Sequence, residues 1–232
     1  MTKVLLIEDD ILVAKVILYY LEQEETYEVV WVKTGGEAFA SARDKYDIIL
    51  LDILLPDVNG VDLCSKLKEW HDCPIIFISC LDNSNTIVQA LECGGDDFIV
   101  KPFDNKVLEA RIKANLRRAS KVPHKAKNVL ECMGFKLDAN RHIIIKSQEE
   151  LKLSSTEFRI LSFLMQNPEK YYTPKELYFK VWGEKSWGDA RTVIVHIHNI
   201  RNKIEEDPNN PRFLKMEWGQ GYYFDPQGKQ IN

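Results

Sequence analysis

The chain has 232 residues, a composition that is ordinary for a soluble globular protein, and a formal net charge of −4 at pH 7. This length predicts one or two domains, and no apolar run approaches the roughly 20 residues that a membrane-spanning helix needs. No cationic and then apolar leader opens the chain, and its five cysteines lack a paired metal spacing. We therefore expect a cytoplasmic protein with reduced thiols and no membrane contact.

The charge is distributed unevenly along the chain. Residues 1–120 carry 13 Lys and Arg against 21 Asp and Glu, a net charge of −8. Residues 121–232 carry 18 against 14, a net charge of +4. This split is typical of an acidic module joined to one that meets a polyanion, although two unrelated surfaces would give the same totals.

The first half alternates between short apolar runs and segments with helical apolar spacing. The runs are typical of buried strands and lie near residues 4–7, 29–32, 48–51, 74–79 and 98–100. A helical pattern follows each run. Five strands that alternate with five helices predict an α/β fold, a doubly wound parallel sheet with helices on both faces.

Polar side chains follow four of these strands, where the strands end. They are Glu8 and Asp9 after the first strand, Asp52 after the third, Ser79 after the fourth and Lys101 after the fifth. In an open parallel sheet, ligands bind in the crevice beyond the carboxyl ends of the strands. Clustered carboxylates repel one another unless a cation joins them, and oxygen ligands suit Mg²⁺. We expect a magnesium site where a carboxylate attacks a phosphoryl group; unrelated helix caps and surface charges are the alternative.

Several motifs of the first half occur together in one known domain. They are LLIED at 5–9, DIILLD at 47–52, Pro56, Gly60, PIIFIS at 74–79 and GDDFIVKPF at 95–103. With these motifs, residues 1–119 resemble the receiver domain of two-component response regulators. The resemblance implies a five-stranded flavodoxin-like fold in which Asp52 accepts a phosphoryl group from a sensor histidine kinase. It also implies that the chain is not an enzyme, because a receiver takes part only in its own phosphoryl transfer and dephosphorylation.

The resemblance further assigns a metal site. Glu8 and Asp9 are the acidic pair that holds Mg²⁺ together with Asp52 and the backbone carbonyl of Leu54. Two other phosphate chemistries do not fit the residues. Haloacid-dehalogenase-like phosphatases need a second Asp where this chain has Leu54, and a dinucleotide-binding fold needs a Gly-rich turn after the first strand.

The resemblance assigns switch residues as well. Ser79 and Lys101 match the residues that contact the phosphoryl oxygens. Phe98 matches the aromatic residue whose ring turns inward when Ser79 moves toward the phosphate. The Lys101–Pro102 peptide bond is expected to be cis, as in the family.

In the OmpR/PhoB-type subfamily, the fourth helix, fifth strand and fifth helix form the dimer face. Asp96, Asp97 and Arg111 stand where charges of that face are expected. Ile87 and Val107 fall where a cross-dimer Lys and Glu often occur. An apolar pair there would make the face less sensitive to salt; the alternative is that both residues pack within one chain.

The second half has a different pattern. Residues 120–126 are polar and basic and contain Pro123, so they are predicted to form a linker. Short strands are predicted near 131–137, 143–146 and 151–153, followed by three helices and a hairpin. Three helices and a hairpin are the order of a winged helix-turn-helix, an α+β fold.

The third of these helices, predicted over 190–204, carries the residues that would contact DNA. The residues of this helix that lie outside its apolar stripe form the candidate DNA-contact face; they are Arg191, Thr192, Val195, His198, Asn199, Arg201 and Asn202. The motifs are LSSTEFRIL at 153–161, VWG at 181–183, RTVIVHIHNIRNK at 191–203 and GQGY at 219–222. With them, residues 127–226 resemble the OmpR/PhoB-type DNA-binding domain.

The side chains suggest separate roles in DNA recognition. Asn199 occupies a position that commonly reads bases in this family, and Asn pairs with adenine, so we expect an A·T pair there. Arg191 and Arg201 are predicted phosphate contacts. In the wing, Met216, Glu217 and Trp218 stand where the family usually has Thr-Val-Arg before Gly. The presence of Glu217 and the loss of the Arg weaken the expectation of a backbone contact. Trp218 could still enter the minor groove or rest on the sugar edge.

The sequence therefore predicts a phosphorylation-activated transcription regulator. Its expected partners are a sensor histidine kinase, double-stranded promoter DNA, RNA polymerase and a second copy of the chain. The alternative is a pseudo-receiver that dimerises constitutively and binds DNA without control by phosphorylation.

Overall fold

The computed structural model describes residues 1–23, 25–41, 44–120, 129–132, 134–138, 141–146, 148–183 and 190–228. The chain divides into two compact units, Met1–Ala119 and Ser120–Asn232. Apart from Ser120, the last residue of a helix, the predicted linker lies outside the described residues. Among the described helices, none combines the length and the apolar character that crossing a membrane requires.

The first unit is a parallel sheet with helices in the connections between its strands. The elements are β1 (Thr2–Ile7), α1 (Ile11–Glu22), β2 (Tyr27–Val32), α2 (Gly35–Ser41), β3 (Ile48–Leu51), α3 (Gly60–Trp70), β4 (Ile75–Ser79), α4 (Ser84–Glu92), β5 (Asp97–Val100) and α5 (Asn105–Ser120). The strand order is β2-β1-β3-β4-β5, and every pairing is parallel. The predicted doubly wound sheet is confirmed. All residues of β3 and β4 are buried, which explains their unbroken apolar sequences.

Two local features fix the chain where it leaves the sheet. The Asp10 carboxylate accepts hydrogen bonds from the backbone N–H groups of Leu12 and Val13 at 2.8 and 3.3 Å, so Asp10 is the N-cap of α1. Gly60 begins α3 so close to β3 that a Cβ atom there would lie 2.2 Å from the carbonyl oxygen of Asp52. Only glycine fits this approach, which brings the start of α3 against the end of β3.

The second unit is an α+β domain. Its elements are β6 (Val129–Cys132), β7 (Phe135–Asp138), β8 (Ile143–Lys146), β9 (Glu149–Lys152), α6 (Ser155–Gln166), α7 (Pro174–Trp182), α8 (Arg191–Ile204), β10 (Leu214–Glu217) and β11 (Gly221–Phe224). β6 to β9 form an antiparallel sheet, and β10 and β11 form the hairpin. The single strand predicted over 131–137 is wrong: Gly134 has a φ of 88° and turns the chain between β6 and β7.

Two helices of this unit, α6 and α7, begin at side-chain caps, whereas α8 follows Ala190 without one. Ser154 and Glu157 form a reciprocal capping box at α6, and Thr173 and Glu176 form another at α7, where Pro174 is the first helical residue. The predicted apolar stripe of α8 is buried in the core of the unit. The sequence signals for these three helices are therefore confirmed.

A buried carboxylate fixes the hairpin to the end of α8. Glu205, the residue after α8, accepts hydrogen bonds from the backbone N–H groups of Arg212, Phe213 and Leu214 at 2.9, 2.9 and 2.8 Å. The Nε of Arg201, one turn earlier, donates to the carbonyl of Leu214 at 2.8 Å. The hairpin therefore takes its position from α8.

Replacing Glu205 by Ala should lower the free energy of unfolding of the second unit by roughly 3 kcal/mol, because three backbone donors at the start of β10 lose their acceptor. Calorimetric unfolding of the full chain measures the change. Glu206→Ala is the matched control, since that neighbouring side chain is 77% exposed and lies 3.9 Å from Arg212. Equal effects of the two substitutions would contradict this role of Glu205.

Candidate functional site

Three carboxylates meet beyond the ends of β1 and β3. Oxygen atoms of Glu8, Asp9 and Asp52 all lie within 4.8 Å of one another. The backbone N–H of Asp52 donates to the carbonyl of Ile7 at 3.0 Å, which holds the two strand ends side by side. Glu8 is 1% exposed and Asp52 5% exposed, whereas Asp9 lies at the surface. The sequence prediction that these three residues converge is confirmed.

The ammonium group of Lys101 lies against this cluster. Its Nζ is 2.6 Å from Oδ2 of Asp52 and 2.7 Å from Oε2 of Glu8. Lys101 follows β5 and precedes Pro102 through a cis peptide bond. Three ionised carboxylates and one ammonium leave two negative charges, which a divalent cation would balance. An all-oxygen donor set of this kind fits Mg²⁺.

The protonation equilibria follow from this packing. Burial is the largest influence on Glu8 and raises its pKa to about 7; the Lys101 ammonium opposes this shift, and the Asp52 charge adds to it. Burial alone would lower the pKa of Lys101, but its hydrogen bonds to Asp52 and Glu8 outweigh burial and raise that pKa. Lys101 is therefore cationic at neutral pH.

The predicted switch residues lie on the adjacent strands. Ser79 ends β4 and is fully buried, and its Oγ accepts a hydrogen bond from the backbone N–H of Leu81 at 3.4 Å. Phe98 is also buried, and its ring stacks on Phe77 with 6.3 Å between ring centroids. The Phe98 ring is thus turned inward in this structure. The backbone N–H of Leu54 donates to Oδ1 of Asp52 at 3.1 Å, so Leu54 directly adjoins the cluster.

The predicted dimer-face charges are buried and bonded within one chain. Asp96 accepts from Nζ of Lys68 at 2.8 Å and from the backbone of Ile75 at 3.1 Å. Asp97 pairs with Arg111 at 2.9 Å. These contacts lie within one chain, and the dimer-face role of Asp96, Asp97 and Arg111 stays a prediction.

The two predicted apolar positions of the dimer face differ from each other. Ile87 is buried among the residues of its own unit, as the alternative of packing within one chain requires, and its place on the dimer face stays a prediction. Val107 is half-buried, and its role stays a prediction.

In the second unit, α8 exposes a narrower strip than the sequence predicted. Thr192 and Val195 are buried, so they are not DNA-contact residues. The reason is that α8 packs against both α6 and α7, which widens its buried stripe beyond one helix face. Asn199 is half-buried. The exposed residues are Arg191, Ile194, His198 and Asn202.

Arg201 of α8 contacts the hairpin, and Trp218 lies at the tip of the hairpin. Arg201 is half-buried; its Nε bonds the backbone of β10, and its guanidinium lies 5.8 Å from the centroid of the Tyr222 ring. Arg201 therefore positions the hairpin, and its phosphate contact stays a prediction. Trp218 lies between β10 and β11 and is 90% exposed, as a wing-tip contact requires.

Ile194 was absent from the predicted DNA-contact set. The predicted set instead included Val195, which is buried, whereas Ile194 is exposed. Its spacing, three residues after Arg191 and four before His198, places it on the exposed strip and was a usable signal.

Comparisons with known proteins agree with both units. The family model "Response regulator receiver domain" matches residues 4–113, and "Transcriptional regulatory protein, C terminal" matches residues 148–224. The transcriptional regulatory protein ResD of Bacillus subtilis is 33% identical over 231 residues, which cover 97% of this chain and 96% of ResD. The sensory transduction protein RegX3 of Mycobacterium tuberculosis is 36% identical over 224 residues, which cover 96% of this chain and 98% of RegX3.

Solved structures include a similar full-length protein. The Thermotoga maritima response regulator DrrB, an OmpR/PhoB homologue, superposes with a TM-score of 0.52 at 31% identity. The alignment covers 97% of this chain and 99% of DrrB.

The burial of Glu8 leads to a prediction about how the stability of the first unit depends on pH. Because the pKa of Glu8 is raised from 4.5 to about 7, the folded protein binds this proton more tightly than the unfolded chain does. Metal-free protein should therefore lose stability as the pH rises from about 4.5 to about 7. In the Glu8→Gln variant, the free energy of unfolding of the first unit should fall less across this range, by on the order of 1 kcal/mol or more.

Urea unfolding in the presence of a chelator, repeated across this pH range, measures the difference. Glu69→Gln makes the same chemical change at an exposed position of α3 and should keep the wild-type dependence on pH. A Glu8→Gln profile that parallels wild type would show that Glu8 does not titrate in this range.

Proposed function

This chain belongs to the OmpR/PhoB-type response regulators, and on that premise we propose that a sensor histidine kinase phosphorylates it on Asp52. The chain is a transcriptional regulator with a receiver domain and a DNA-binding domain. The observation that carries the proposal is the cluster in which Glu8, Asp9 and Asp52 lie together with Lys101. A lone carboxylate at a strand end would have neither the metal ligands nor the cation that phosphoryl transfer requires.

The residues of the cluster have separate roles in the proposed transfer. An oxygen of Asp52 attacks the phosphorus of the kinase's phosphohistidine, the new P–O bond forms as the P–N bond breaks, and the histidine imidazole leaves. Bound Mg²⁺, held by Glu8, Asp9, Asp52 and the carbonyl of Leu54, would neutralise charge on the transferring group. Lys101 already lies 2.6 Å from Asp52 and would exchange this contact for one with a phosphoryl oxygen. The receiver acts on its own phosphoryl group alone, so the chain is not an enzyme for other substrates.

The switch residues would couple phosphorylation of Asp52 to DNA binding. The Ser79 hydroxyl would move toward the phosphoryl group and donate a hydrogen bond to it. The surroundings of Phe98 would adjust to this movement of Ser79. Phosphorylation then shifts a population toward a homodimer formed through the receivers, so unphosphorylated protein binds DNA more weakly rather than not at all. The dimer places two α8 helices on two half-sites of promoter DNA in the cytoplasm, where RNA polymerase is the further partner.

Intact-mass measurement after incubation with a small-molecule phosphodonor and Mg²⁺ tests the proposal. Wild-type protein should gain one phosphoryl group, and Asp52→Asn should gain none because the nucleophile is gone. Asp62→Asn is the matched control, since Asp62 is an exposed carboxylate on α3, and it should react like wild type. A chelator should prevent the reaction. Wild-type protein without an adduct would favour the pseudo-receiver.

Binding to promoter DNA at several salt concentrations separates phosphate contacts from base contacts. Arg191→Ala should weaken binding to all sequences and reduce the slope of log affinity against log salt by about 1. Asn199→Ala should relax discrimination at one base pair, at a cost of about 1–3 kcal/mol. Arg141→Ala, an exposed arginine of the same unit paired with Glu150, is the control and should leave the slope unchanged. The reverse pattern for Arg191 and Asn199 would contradict these roles.

A further inference from the structure

An apolar side chain stands in the middle of the exposed strip of α8. Ile194 is the fourth residue of the helix and is 47% exposed. Arg191 lies three residues before it and His198 four residues after it, so both are neighbours on the same face. The strip therefore offers an apolar contact flanked by an arginine and a histidine.

The packing of the domain does not explain this isoleucine. Val193, Val195 and Ile197 supply the apolar contacts of this part of α8 and are all buried. Single exposed apolar residues are common and carry no meaning alone. Ile194 gains meaning from its position, because the N-terminal residues of such a helix contact base edges in the major groove.

We propose that Ile194 reads the 5-methyl group of a thymine in the major groove, an inference that rests on DNA binding through α8. The thymine methyl is the apolar group that base pairs present in that groove. Isoleucine can neither donate nor accept a hydrogen bond. Against a G·C pair it would cover hydrogen-bonding groups without replacing their water, which disfavours that pair.

The side chain of isoleucine suits this contact. Its β-branched side chain has few rotamers in a helix, so little conformational freedom is lost when it packs against a base. Arg191, one turn nearer the helix N-terminus, is placed to hold the helix on the phosphate backbone. The proposed target therefore has a thymine at a fixed position in each half-site.

Single thymine-to-deoxyuridine substitutions test the proposal, because each removes one methyl group and leaves base pairing intact. A binding site is first selected from random DNA by the phosphodonor-treated full chain. Each thymine of a half-site is then replaced in turn. For wild-type protein, one replacement should weaken binding about fourfold, the effect of losing one buried methyl group. For Ile194→Ala, thymine and deoxyuridine at that position should bind equally.

Two further variants complete the design. Ile194→Val keeps a branched apolar contact and should retain the preference for thymine. Leu12→Ala truncates an exposed apolar residue of the first unit and should bind like wild type at every position. Ile194 lies at the surface, so thermal unfolding of Ile194→Ala should match wild type.

The outcomes distinguish this inference from the function on which it rests. If the thymine-sensitive position persists in Ile194→Ala, or if no thymine replacement weakens wild-type binding, Ile194 does not read thymine, although DNA binding stands. If wild-type protein selects no sequence at all, both the inference and the DNA-binding role of α8 are overturned.

Discussion

The imbalance of charge at the edge of the receiver sheet is the constraint on which the chemistry of this protein depends. Glu8 and Asp52 are nearly buried, Asp9 completes the set, and the single ammonium of Lys101 cannot neutralise all three. Burying carboxylates is costly, and the raised pKa of Glu8 expresses that cost. A divalent cation held by these carboxylates would offset this cost. The empty site is therefore least stable once Glu8 is ionised, above about pH 7.

In the second unit, the contacts of α8 hold this helix in a fixed position within the domain. Lys203 pairs with Glu157 at the start of α6, and Glu205 holds the backbone of the hairpin. Arg201 adds a bond from α8 to β10. These contacts join the C-terminal half of α8 to its neighbours, whereas Arg191 and Ile194 in its N-terminal half are exposed. The basic residues of α8 thus divide between Arg201 and Lys203, which hold the domain together, and the exposed Arg191, a division that residue type alone does not reveal.

Local signals carried much of the prediction. The unbroken apolar runs of β3 and β4 predicted a parallel sheet, and the strand order of that sheet brought Glu8 beside Asp52. What the sequence could not supply was the partner of each buried group. The contacts Asp96–Lys68 and Asp97–Arg111 join residues 28 and 14 positions apart, and such pairs depend on tertiary packing. Thr192 was misassigned because the width of a buried stripe depends on how many helices pack against it.

The width of the buried stripe of α8 also limits the number of side chains that this helix can offer to DNA. Seven of the fourteen residues of α8 are buried, so a strip of four exposed side chains, one turn apart, faces outward. Such a strip spans few base pairs, and each correct contact contributes only about 1–3 kcal/mol of discrimination. A net charge of +4 over residues 121–232 adds modest attraction to phosphate. On the proposed function, one copy of α8 would bind DNA weakly and two copies on one site would supply the specificity, which is the step that phosphorylation of the receiver would control.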